Sequence, residues 1–265
     1  MPLGPFESEI LRCIAKNRSP DSHVAGATVL NQLKNSPRTS KDIDIFHDTK
    51  EALTDAFTTD CLSLKESGYE IAVQRDLDTF KRAVVSSENQ KTKIEWVNDS
   101  AFRFFPTEPD PHLGYRLHRW DAATNKILAA FGRVAIRDYI DVLHLHATAL
   151  SLGALVWAAS GKDGGLSPGF ILEEIQRIHR YPLEDYQQLI LETPPDPVAL
   201  KKQWLDALAE AKELNTLLLE LDAPYGCFFL DASGAPQTPT RETLPNLKPH
   251  FGSLRGCWPR IVEED

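Results

Sequence analysis

Residues 40–46, Ser-Lys-Asp-Ile-Asp-Ile-Phe, alternate charge and bulk with a period of two. In an extended strand this alternation sends Asp42 and Asp44 to one face and Ile43 and Ile45 to the other. The isoleucines require a core beneath them, so the segment reads as a strand with one covered face and one acidic face. Two carboxylates converging on one point fill a protein poorly and hold a divalent cation well. Mg²⁺ in particular takes a few carboxylates together with substrate phosphates.

The chain leading into this strand has its own pattern. Residues 5–17 place Phe6, Ile10, Cys13 and Ile14 on one helical stripe, and Ser19-Pro20-Asp21-Ser22 ends it. His23 to Ala25 is a short strand approach, Gly26 a turn, and Ala27 to Leu33 a helix. Beyond the acidic strand, a helix is predicted from Glu51 to about Ser67. Strands follow at Tyr69–Arg75, Phe80–Val85 and Lys91–Asn98. In the last of these, Ile94 and Trp96 share one face and Lys93, Glu95 and Val97 the other. The result is a small mixed sheet with helices on its faces.

Three prolines between Phe105 and Pro111 break the pattern. Helices are predicted beyond them at Trp120–Arg133, Val134–Leu155, Phe170–His179, Leu183–Leu191 and Val198–Leu221. From Ala223 onward six prolines predict an irregular tail. The fold class is therefore α+β, with three parts expected: a mixed-sheet domain over 1–110, a helical domain over 111–222, and a proline-rich tail over 223–265 packed on the body.

Charge narrows where a substrate could sit. The chain of 265 residues carries a formal net charge of −9, which argues against coating nucleic acid by electrostatics alone. Residues 111–155 depart from this balance, with 5 Lys and Arg against 3 Asp and Glu, and are the place to look for bound phosphate. The four cysteines show no zinc spacing and read as free thiols of a reducing compartment. The apolar run from Val142 to Ser160 is interrupted by His144, His146, Thr148 and Ser151, which suits a buried helix better than a membrane span. The first residues show no basic region followed by an apolar core, so a cytoplasmic location is expected.

These residues resemble a nucleotidyltransferase of the DNA polymerase β superfamily. In that fold a Gly-Gly or Gly-Ser dipeptide opens a helix and an Asp-x-Asp pair follows on the next strand, as Gly26-Ala27 and Asp42-x-Asp44 do here. Alanine keeps the small size of the second dipeptide position and lacks the serine hydroxyl. More narrowly, the chain resembles the AbiEii/AbiGii toxins of type IV toxin–antitoxin systems and the related MenT-like toxins. That match rests on Asp121-x4-Lys126 and on Arg133-x3-Arg137-Asp138-x2-Asp141, and the matching pieces span residues 23–145.

The resemblance implies an enzyme that moves a nucleoside monophosphate from an NTP to a hydroxyl of RNA, with the tRNA 3′ end favoured, or of protein. It implies a cognate antitoxin and no membrane partner. Two Mg²⁺ ions are expected with NTP bound, on Asp42, Asp44 and a third carboxylate from a later strand, here Glu95. Lys126 is expected on the nucleotide phosphates as a point charge. Gly26, Ala27, Thr28, Ser40, Lys41, Arg133, Arg137, Asp138 and Asp141 complete the expected nucleotide site.

Spacing alone leaves other assignments open. Glu95 also fits an exposed polar position opposite Ile94 and Trp96. On a continuous helix Arg133 and Arg137 share one face and Asp138 and Asp141 an adjacent one, which suits an ion-pair network as well as phosphate binding. His144 and His146, two apart on a helix, point to different faces and do not read as metal ligands. Two other functions stay in view: a catalytically inactive binding protein with the same fold, and a small-molecule nucleotidyltransferase of the aminoglycoside-modifying kind.

Overall fold

The computed structural model describes residues 3–30, 38, 42–177, 180–187, 189, 191 and 196–252. The acidic segment forms a strand because its neighbours cover it on one side. Element order is helix α1 (Pro5–Ile14), strand β1 (Ser22–Val24), helix α2 (Gly26–Leu30), strand β2 (Asp42–His47) and helix α3 (Lys50–Glu66). Strands β3 (Glu70–Leu77), β4 (Phe80–Ser87), β5 (Gln90–Asn98), β6 (Glu108–Asp110) and β7 (Gly114–Arg116) follow. They form one seven-stranded mixed sheet in the order β3-β4-β5-β2-β1-β7-β6, with β2 in the middle.

Strand β2 runs parallel to β5 and antiparallel to β1. Ile43, Ile45 and His47 are fully buried, while Asp42, Asp44 and Phe46 keep partial access to solvent. Helix α3 is capped by Thr49, whose hydroxyl accepts from the Ala52 N–H at 3.0 Å. Its inner face brings Asp60 into the core. There the Arg18 Nη2 donates to both Asp60 oxygens at 2.5 and 2.6 Å, and Trp96 Nε1 and Asn17 Nδ2 donate at 2.8 and 2.9 Å. A buried charge is tolerable only when paired and hydrogen-bonded in this way. The arrangement ties α3 to β5 through Trp96.

The proline stretch is not a plain break. Glu108–Asp110 and Gly114–Arg116 pair as a short antiparallel hairpin, and β7 joins β1 through the Val24–Arg116 register. Pro109 is tolerated because β6 is an edge strand, where a missing N–H leaves no ladder bond unmade. The cations near this hairpin are engaged locally. Arg116 Nη2 lies 3.0 Å from Glu108, the His118 ring stacks on Phe105 at 4.4 Å, and the Arg119 guanidinium lies over the Trp120 ring.

The chain divides into two compact units, residues 1–101 with 105–122, and residues 102–104 with 123–265. The sheet belongs to the first. Helices α4 (Arg119–Gly132, from Ala123 onward), α5 (Ile136–Thr148), α6 (Leu152–Ala159), α7 (Pro168–Ile175), α8 (Leu183–Gln187) and α9 (Pro197–Glu220) belong to the second.

All eight residues of α6 are buried, which makes it the centre of that unit. Gly153 explains how α9 comes so close: a Cβ there would stand 3.0 Å from the Ala211 Cα. Helix α9 begins with Asp196 accepting from the Val198 N–H at 2.9 Å and Pro197 in its first turn. It buries Trp204, Ala207, Leu208, Ala211, Leu214 and Leu218 along one stripe.

Two expectations need correction here. The apolar run read as one helix from Val134 to Leu155 is two, α5 and α6, bent by 114°. The break comes at Ala149–Ser151, because the Ser151 side chain caps a new helix by accepting from the Ala154 N–H. Among the described residues no single helix is long and apolar enough to cross a membrane.

The segment from Ala223 is not wholly irregular. Strands β8 (Phe228–Leu230), β9 (Pro236–Gln237) and β10 (Lys248–His250) form a small sheet in the order β10-β8-β9. Phe228 and Phe229 are buried in it, and the His250 Nε2 meets the Phe104 carbonyl at 2.6 Å.

Candidate functional site

The acidic face of β2 is built by register. Asp42 pairs with Lys93 and Asp44 with Glu95 across the parallel β2–β5 ladder. On the other side of β5, Glu95 pairs with Arg82 of β4. All five side chains therefore rise from the same face of three adjacent strands. The Lys93 Nζ stands 3.2 Å from Asp42 Oδ2 and 3.2 Å from Glu95 Oε1. Arg82 donates to the same Glu95 oxygen through Nε at 3.0 Å and Nη2 at 2.9 Å.

Gly26 adds the backbone side of this site. It opens α2 with a φ of +65°, a left-handed conformation that glycine adopts readily. A Cβ at this position would also collide with the Asp44 carboxylate, so the bare backbone is what lets Asp44 lie against it. Ala27 and Thr28 follow on α2 and are buried; the Thr28 hydroxyl has no hydrogen-bond partner among the described residues. Ser40 and Lys41, also expected at this site, lie outside the described residues.

Asp42 and Asp44 offer hard oxygen donors, one residue apart on a rigid strand, beside a cradle that a Cβ would fill. That donor set fits a divalent cation of the Mg²⁺ kind. Glu95, expected as a third ligand, is turned to Arg82 and Lys93. Among the described residues no group of three His, Cys, Asp or Glu side chains is arranged to hold a metal.

The second unit gathers the other expected residues. Lys126 on α4 is buried, and its Nζ donates to Asp138 Oδ1 at 2.8 Å and lies 3.0 Å from Asp141 Oδ2. Asp138 and Asp141 are three apart on α5 and so share a face, which is how both reach one ammonium. Arg133 donates to Asp138 through Nε at 2.8 Å and Nη2 at 3.3 Å.

Burial works against the charged form of Asp138, yet Lys126 and Arg133 outweigh it and hold its carboxyl below the ordinary range. Arg133 is not on a helix face shared with Arg137. It lies in the three-residue link after Gly132, while Arg137 stands in the first turn of α5, so the helical spacing expected for the two arginines is broken by the link.

Asp121 stands in the first turn of α4. It is fully buried and accepts from the Phe105 N–H at 2.9 Å, anchoring the start of α4. His144 and His146 stay apart, as their spacing indicates. His146 Nδ1 accepts from the Leu152 N–H at 3.1 Å, which supports the turn between α5 and α6.

Sequence reasoning missed Lys93 and Arg82. Lys93 was visible in principle, since it alternates onto the face of Glu95. Arg82 was not, because its position depends on the β4–β5 register.

Comparison with known proteins gives a family and a fold. Residues 10–217 match the family model for the nucleotidyl transferase AbiEii toxin of type IV toxin–antitoxin systems. The fold is similar to that of MenT4, a nucleotidyltransferase toxin from Mycobacterium tuberculosis, with a TM-score of 0.57 and 15% identity over 78% of this chain and 82% of that one. It is also similar to an H. pylori protein assigned as a nucleotidyltransferase, with a TM-score of 0.54 and 19% identity over 82% of this chain and 96% of that one. No curated protein matches the sequence at a significant level.

Proposed function

The chain belongs to the AbiEii family of nucleotidyltransferase toxins, and from that premise we propose that it transfers a nucleoside monophosphate from an NTP to a hydroxyl of RNA, with the 3′ end of tRNA as first candidate. The observation that carries this reading is the acidic face of β2, where Asp42 and Asp44 stand beside the bare backbone of Gly26.

In such a transfer the acceptor oxygen forms a bond to the α-phosphorus, the bond from that phosphorus to the bridging oxygen breaks, and pyrophosphate leaves. Bound Mg²⁺ would supply charge neutralisation on the phosphates and lower the pKa of the attacking hydroxyl. Asp42 and Asp44 are the ligands we assign to it. Glu95, directly across the ladder from Asp44, is the third carboxylate of that face and would exchange its ion pairs to do the same work.

The protein's own groups do the positioning. Gly26 has no side chain to keep a triphosphate from the backbone, and Ala27 and Thr28 continue the small-residue turn. Lys126 is a compact charge whose direction is fixed by Asp138 and Asp141, and we assign it to the nucleotide phosphates. Arg133 is bound to Asp138 with half its side chain exposed to solvent, and we assign its guanidinium to the nucleotide phosphates as well. Ser40, Lys41 and Arg137 complete the proposed nucleotide site. A cognate antitoxin is the partner that a type IV system implies.

The test is direct. The protein is incubated with each labelled NTP, Mg²⁺ and total tRNA, and label is expected on RNA with one NTP preferred. Asp42→Ala is expected to abolish both labelling and growth inhibition. Absence of transfer to any acceptor, together with growth inhibition that Asp42→Ala leaves unchanged, overturns the reading.

A further inference from the structure

The face that carries Asp42, Asp44 and Glu95 already contains a cation of the protein's own. Lys93 Nζ is equidistant, at 3.2 Å, from Asp42 Oδ2 on β2 and Glu95 Oε1 on β5. It therefore bridges two carboxylates that the alternation of both strands directs at the same space. Arg82 holds the same Glu95 oxygen from the far side. Lys93 is neither buried nor fully solvated, with 31% of its side chain exposed, so it has room to swing out without tearing the core. The buried residues on either side of it, Thr92 and Ile94, face the opposite way and would stay where they are.

We propose that Lys93 is a positioning residue of the metal site: an internal counter-ion that holds Asp42 and Glu95 in the metal-free protein and that an incoming divalent cation must displace. The inference rests on the reading of Asp42 and Asp44 as metal ligands. Three carboxylates on one face repel each other in the absence of a cation. Lys93 relieves that repulsion and keeps the side chains in place, but its charge opposes any metal ion at the same oxygens.

Binding of the metal alone is consequently weak, and binding together with an NTP is stronger, because the triphosphate brings the negative charge that the displaced ammonium requires. The protein thus takes its cation with the nucleotide rather than before it. Because Asp42 and Lys93 are direct register partners on β2 and β5, the exchange needs only a side-chain rotation, with both strands left in place.

Binding of Mn²⁺, followed by electron paramagnetic resonance on the full chain, separates this role from a merely structural ion pair. Wild type, Lys93→Met, Lys93→Gln, Lys93→Arg and Asp42→Ala are compared without nucleotide and with a non-hydrolysable NTP. Lys93→Met and Lys93→Gln are expected to bind Mn²⁺ alone roughly tenfold more tightly than wild type, since a competing unit charge has been removed at contact distance. Lys93→Arg should keep the wild-type affinity, and Asp42→Ala should lose binding.

The gain on adding the NTP should shrink in the two neutral variants. Thermal melts establish that each variant is folded, and the glutamine variant serves if the methionine one is not. Mn²⁺ affinity equal to or weaker than wild type in the folded neutral variants overturns the proposal and leaves the metal reading standing. Absence of Mn²⁺ binding by wild type and both neutral variants, with or without NTP, overturns both.

Discussion

Lys126 on α4 donates to Asp138 on α5 across 2.8 Å, and both side chains are out of solvent. The ammonium has no freedom to point elsewhere while Asp138 and Asp141 hold it. Removing Asp138 takes one of two carboxylates from the buried ammonium and also takes from Arg133 the carboxylate it donates to. Asp138→Ala is expected to destabilise the protein by about 3–5 kcal/mol, the usual cost of breaking a buried pair from one side. Urea denaturation measures it.

Lys126→Met retains the length and apolar stem of the side chain but not its charge. If the lysine meets the nucleotide phosphates, the rate of nucleotidyl transfer at saturating acceptor should fall by about 10²-fold or more. A variant that melts like wild type and transfers at the wild-type rate would remove Lys126 from the site.

Gly26→Ala combines two penalties. A φ of +65° costs an L-residue about 1–2 kcal/mol, and the new methyl meets the Asp44 carboxylate. The expected result is a lower Tm together with loss of Mn²⁺ binding, because Asp44 must turn away to make room. Alanine substitution of a glycine with no such neighbour, Gly132, should leave Mn²⁺ binding unchanged.

Asp60 is the hub of the first unit's polar core, accepting from Arg18, Asn17 and Trp96. Asp60→Ala leaves the buried Arg18 guanidinium unpaired and frees the Trp96 indole. A loss of about 3–5 kcal/mol is expected, with a shift in tryptophan fluorescence even in the folded variant. It should not alter the acidic face directly, since Trp96 and Glu95 point to opposite sides of β5.

His47 makes stability depend on pH. Burial, and then the charge of Arg18, push its pKa down from 6.5 to about 3, and neither ring nitrogen has a partner among the described residues. Above pH 6.5 the ring is neutral in both the folded and unfolded states and contributes no slope. Between 6.5 and 3 the unfolded chain binds a proton that the folded protein refuses, so stability falls as pH falls. From pH 7 to pH 5 this ring alone should cost about 2 kcal/mol. Urea melts at pH 7, 6 and 5 should show that slope in wild type and a flatter one in His47→Leu.

What the sequence disclosed follows from the range of the interactions involved. The alternation of residues 42–46 revealed both β2 and its acidic face, because a strand's two sides are written in adjacent positions. Helix α9 was equally plain, expected over Val198–Leu221 and found at Pro197–Glu220. Strands β6 and β7 left no such trace. Each is three residues long, β7 held by β1 and β6 by β7, so no local periodicity encodes either. The small sheet over 228–250 was hidden for the same reason.

Lys126, Asp138 and Asp141 came into view through the family resemblance rather than through spacing; that they meet in one ion-pair cluster, with Arg133 reaching Asp138 from the link, took the structure to show. The company that Glu95 keeps was beyond reach, since Arg82 is thirteen positions away and arrives by strand pairing. The residues were legible in the sequence, and their charge balance was written in the register.

Strand β2 is the fourth of seven, clasped by β5 on one side and β1 on the other. Fluctuations that fray a sheet begin at its rims, here β3 and β6, where only one ladder has to part. Such local openings leave Asp42 and Asp44 in place, because both are paired with the interior strand β5, at Lys93 and Glu95. The acidic pair is thus shielded from fraying at either rim of the sheet.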